Sequence, residues 1–138
     1  MGTRQHRSFR FDPATLARLE QRAAASGLTQ TALVERYVDE GLRLEEHPNI
    51  VFVDEPAGRR ARLAGTGLDV WEIVGTVHDN SGSVPDTAVY LDVPEWRIVA
   101  AMRYYADYRY EIDAWIAEND RMAEEEELRT RRVAEAFG

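Results

Sequence analysis

Arg4, His6, Ser8 and Arg10 recur at every second position near the start of the chain. In an extended strand that spacing puts all four on one face. Phe9 and Phe11 fall on the opposite face. A strand presenting Arg, His and Ser carries the donors and acceptors that read base edges in a DNA major groove. A guanidinium can bond guanine O6 and N7 together, and a serine hydroxyl suits several base edges. Thr29 and Gln30 begin a second candidate element. Its free N–H groups and positive dipole end suit a phosphate.

Other chemistries find less support. His6, His47 and His78 are scattered, without the spacing of a metal triad. The chain has no cysteine, which excludes disulfides and thiolate metal sites. Gly65-Thr66-Gly67 lacks the Lys-Ser/Thr that completes a phosphate-cradling loop. The carboxylates read as solvent-facing, and Tyr104, Tyr105, Tyr108 and Tyr110 read as packing groups. No catalytic site, metal or cofactor is expected. Residues 1–10 have no apolar signal-peptide core, and no apolar run reaches the length of a membrane span. A cytoplasmic protein is the expectation.

The 138 residues carry 17 basic and 25 acidic side chains, a net charge of -8. That total argues against a nucleic-acid binder, but distribution matters more. Residues 1–44 hold seven Arg against five acids, and Arg4, Arg7 and Arg10 all precede the first acid, Asp12. Residues 45–110 hold six against eleven, and residues 111–138 four against nine. Only the start is basic.

These residues need elements to position them. Gln5 to Phe11 reads as a strand. Asp12-Pro13 is helix-start chemistry, Leu16, Leu19 and Ala23 follow at helical spacing, and Gly27 is a stop. Thr29 caps a second helix with Leu33, Val34, Tyr37 and Val38 on one side. His47-Pro48-Asn49 breaks it. Ile50–Val53 and Arg59–Leu63 read as a hairpin, and Asp69 caps a third helix. The Ser83–Tyr105 segment reads as two short helices, with Ala88, Leu91, Val93 and Ile98 at the spacing of a helix-turn-helix core. A last helix begins near Tyr108 and frays into Glu124–Glu127 and the basic run Arg129, Arg131, Arg132. The fold class is mainly α. The expected domains are residues 1–45, 46–108 and a charged helix or tail at 109–138.

A lone terminal strand cannot satisfy its backbone or bury Phe9 and Phe11 unaided. Pairing with the same strand of a second copy solves both problems and implies a two-fold dimer. Phe9, Phe11, Leu33 and Tyr37 would form its core. The Phe-Arg-Phe-Asp-Pro strand end, the Ala-Ser-Gly-Leu-Thr turn and the Ala-Leu-Val-Glu-Arg-Tyr-Val helix resemble the ribbon-helix-helix family of CopG- and Arc-like repressors. The resemblance covers about residues 4–44 and implies base reading by His6, Ser8 and Arg10. From His47 to about Trp115 the chain resembles the family known as domain of unknown function 433. The residues are Ile50-Val51-Phe52-Val53, Arg62 to Leu68 and Ser83 to Tyr105. That resemblance implies a hairpin followed by a helix-turn-helix bundle, an antitoxin role, and a partner similar to PIN-domain ribonucleases.

Together these readings lead to a dimeric or higher-order antitoxin that represses its own promoter and neutralises a PIN-like ribonuclease toxin. Double-stranded operator DNA is the expected partner. Ile112, Trp115 and Ile116 would dock on the toxin, with Arg129, Arg131 and Arg132 reaching its acidic pocket. Two alternatives stand beside it: a free-standing regulator whose second domain senses a ligand or drives assembly, and a pure oligomerisation protein.

Overall fold

The computed structural model describes residues 2–138. Pro13, favoured at a first helical position, opens α1 (Pro13–Ser26) behind Asp12, and Gly27 closes it in the left-handed conformation at φ 72°. Thr29 begins α2 (Gln30–Glu46), its Oγ1 accepting the Ala32 N–H at 3.1 Å. The His47-Pro48 pair ends α2, because the residue before a proline is pushed out of the helical region. Strands β1 (Ile50–Glu55) and β2 (Gly58–Leu63) follow, antiparallel, with Ile50 opposite Leu63 and Glu55 opposite Gly58. Gly58 has φ 137°, and a Cβ there would lie 3.2 Å from the Trp115 ring. Both facts favour glycine at this turn.

Four helices complete the chain: α3 (Val70–Asp79), α4 (Val84–Leu91), α5 (Glu95–Asp107) and α6 (Arg109–Phe137). Ser83 starts α4 by accepting the Asp86 N–H at 3.2 Å. The fold is mainly helical, with six helices and one small two-stranded antiparallel sheet among the described residues. None of these helices is long and apolar enough to cross a membrane.

The chain divides into two compact units, Met1–Leu42 and Arg43–Gly138. The break falls within α2, and α6 belongs to the second unit. Among the described residues of the first unit only Ala23 and Leu33 are buried. In the second, a continuous core joins Ile50 and Leu63 of the hairpin to Val70, Ile73 and Val77 of α3. Ile98, Ala101 and Tyr104 of α5 and Ile112 of α6 complete it.

Two sequence expectations change. Gln5 to Phe11 belongs to no strand: a strand exists only through a hydrogen-bonded neighbour, and a single chain offers this segment none. The last helix, which starts at Arg109, does not fray at Glu124–Glu127. It runs unbroken through the acidic and basic runs to Phe137, since Glu, Arg and Ala are strong helix formers and Arg129–Glu126 and Arg131–Glu127 bridge successive turns.

Candidate nucleic-acid interface

In the first unit, Arg4, His6, Ser8 and Arg10 all lie exposed on the segment ahead of α1. Arg4 bonds Glu35 of α2. Gln30, the first residue of α2, is also exposed. No acid occupies the first turn of α2, so its positive dipole end is not offset there.

The residues assigned to a dimer core divide clearly. Leu33 is enclosed at 1%, but Phe9 is 74% exposed, Phe11 47% and Tyr37 48%. Val38 and Leu42 are exposed beside them. Phe11, Leu19, Val34, Tyr37 and Val38 line a groove of about 670 Å³ in this unit. Its floor is apolar, and Arg18 and Arg22 stand among the lining residues. A helical pair of about forty residues with two buried side chains is too small to hold itself together without further cover.

The second unit places its candidate residues differently. Asp92 joins α4 to α5 in the left-handed conformation, φ 54° and ψ 50°, so the turn keeps its shape although Gly is the commoner residue there. On α5, Arg97 donates to the Ala64 carbonyl at 2.9 Å and lies over the Trp96 ring. It is committed to its own fold. Arg103 is exposed.

The three apolar residues expected to meet a partner are already occupied. Ile112 is 1% exposed in the core, Ile116 packs against that core, and Trp115 lies under the Arg60 guanidinium at 4.5 Å and against Gly58. The amphipathic pattern that suggested docking is the pattern that seats α6 on its own unit. Arg129, Arg131 and Arg132 do face solvent.

Two polar clusters escaped the sequence. Asp69 is buried, not solvent-facing: its carboxylate takes Arg60 at 3.1 Å, Arg62 at 3.0 Å and the Trp71 indole N–H at 3.1 Å. Arg62 also donates to Glu55 at 2.6 Å; its bonds to Asp69 and then Glu55 raise its pKa. The signal was present, since Arg60 and Arg62 share a strand face just before a helix-capping Asp.

The other cluster joins Arg43, Tyr104 and Glu111. Arg43 donates to the Tyr104 hydroxyl at 2.7 Å and to Glu111 at 2.9 Å, and Tyr104 donates to Glu111 at 2.7 Å. Burial works against the Arg43 charge, but the bond and field of Glu111 outweigh it and its pKa rises. Burial, then the bond to Glu111, pushes the Tyr104 phenol up. Beside them His47 Nε2 lies 2.7 Å from Asp107, and Glu46, His47 and Asp107 bring one ligand-type atom each within 4.8 Å of one another. The histidines alone gave no hint of this grouping, because its carboxylates come from elements sixty residues apart in sequence.

The chain matches no family model, and no curated protein and no solved structure is significantly similar to it.

Proposed function

We propose that the chain is a homodimeric, operator-binding regulator. Residues 5–11 of two copies pair as an antiparallel ribbon, with Phe9 and Phe11 turned toward the helices of both copies. His6, Ser8 and Arg10 of each copy then face the major groove, which accommodates a two-stranded ribbon. The α2 N-termini meet flanking phosphates. In this reading the protein does no bond-making chemistry of its own and works in the cytoplasm beside its DNA.

The observation that carries the reading is the state of the first unit. A segment outside any strand holds two uncovered phenylalanines, one of them lining an apolar groove, and between and before them stand His6, Ser8 and Arg10. Covering a large apolar side chain contributes roughly 1.5–3 kcal/mol, so Phe9, Phe11 and Tyr37 of two copies supply a substantial drive to dimerise.

The test is binding of the purified protein to its own promoter at fixed salt. Arg10→Ala should weaken binding by about 1–3 kcal/mol and relax preference at one base pair of each half-site. Unchanged affinity and unchanged preference would sink the ribbon model. The antitoxin and the free-standing regulator both use this dimer. Co-purification with a nuclease-like product of an adjacent gene separates them.

A further inference from the structure

The distal half of α6 is uncovered: from Asn119 onward every residue is exposed. Yet the pattern that buries Ile112 continues along it. Steps of seven and eleven residues return to within about 20° of the same side of a helix. Trp115, Met122 and Val133 are related by those steps, and Phe137 lies one turn beyond Val133. Met122 and Val133 are each 53% exposed and Phe137 89%.

The charges on this stretch say what covers it. Glu124, Glu125, Glu126 and Glu127 precede Leu128, and Arg129, Arg131 and Arg132 follow it. A second α6 laid alongside in the same direction would set each run against its like. Turned end for end, it sets acid against base on both sides of Leu128. We propose that a second copy of this chain occupies the face, with the two α6 helices antiparallel about a two-fold axis between Glu127 and Leu128.

That axis fixes the register. Met122 faces Val133 of the second copy, and Glu126 faces its Arg129. Glu125 flanks its Arg132. Each contact occurs twice by symmetry. The present pairs Arg121–Glu125, Arg129–Glu126 and Arg131–Glu127 lie within one helix and are exposed, so rearranging them costs little. Two apolar layers around a charged centre make a weak contact, but one that specifies direction and register. The pairing needs nothing from the DNA-reading ribbon, so either can fail without the other.

The test is sedimentation equilibrium of the full-length protein, from low micromolar to submillimolar concentration. At the upper end the wild type should reach twice the mass of the double variant Met122→Glu with Val133→Glu. Both substituted sites are exposed, so helix content should be unchanged by circular dichroism. Glu125→Arg should also halve the mass, and Glu125→Arg combined with Arg132→Glu should restore it. Positions 125 and 132 lie about 10.5 Å apart along one helix, too far to pair within it, so rescue reports contact between helices. Equal masses for the wild type and the Met122/Val133 variant, or no rescue by the charge exchange, overturn the proposal. So does a wild type that keeps the smaller mass while the same substitutions release a co-purifying nuclease-like protein, for the face would then belong to that partner.

Discussion

The two units of this chain have equally clear amphipathic patterns but differ in what covers them. In the second unit, Leu63, Ile73, Ile98 and Tyr104 are enclosed by one another, and its buried Asp69 carboxylate finds three donors within the same unit. In the first unit, the aromatic residues remain open on the segment ahead of α1 and on α2. Periodicity therefore identifies a face that must be buried without saying whose atoms bury it. The second unit completes its core from its own sequence. The first leaves its aromatic face uncovered within one chain, and the proposed dimer would supply the cover.

The sharpest contrast is expected at Asp69. Asp69→Ala leaves Arg60 and Arg62 without their buried partner and the Trp71 indole without its acceptor. Breaking such a cluster typically costs about 3–5 kcal/mol. The loss should appear in the second unit's unfolding transition, followed by denaturant titration with tryptophan fluorescence, since all three tryptophans lie in that unit. Equal destabilisation of the first unit would show that the two fold as one.

Dilution probes the same difference from the other side. If a second copy completes the first unit, its stability falls by about 1.4 kcal/mol for each tenfold dilution, by mass action. The second unit's core should hold throughout. Hydrogen exchange at two protein concentrations reads both units at once: amides of α1 should exchange faster in the dilute sample, and those of α3 and α5 should not change. An α1 indifferent to dilution would mean that the first unit needs no partner.

Much of the second unit was legible because its signals are local. Asp69 starts α3, Ser83 starts α4, and His47-Pro48 ends α2, each within four residues. At Asp92 the residue type argues for an altered turn, since glycine is typical there, yet the aspartate adopts the left-handed conformation. What escaped notice depends on distance. Asp69 lies nine residues from Arg60 and reads as exposed until the hairpin folds beside it. Arg43 lies 61 residues from Tyr104 and 68 from Glu111. Ile112, Trp115 and Ile116 were seen as a sticky face, but sequence periodicity cannot tell a face turned inward from one turned toward a partner. The same ambiguity applies to His6, Ser8 and Arg10, whose exposure is visible in one chain and whose proposed pairing would take two.

A smaller effect distinguishes the two helix starts within the first unit. Thr29 caps α2 through its side chain, with Oγ1 accepting the Ala32 N–H at 3.1 Å, whereas Asp12 precedes α1 without a side-chain bond of that kind. Thr29→Ala should therefore destabilise the first unit by about 1 kcal/mol, Thr29→Ser should recover most of it, and Asp12→Ala should cost less. Hydrogen exchange of the α2 amides, at one protein concentration, is the measurement. The second unit should not respond to any of the three. If Asp12→Ala proves the costlier change, Asp12 finds its hydrogen-bond partner only once a second copy is in place, and the start of α1 joins Phe9 and Phe11 as part of the shared core.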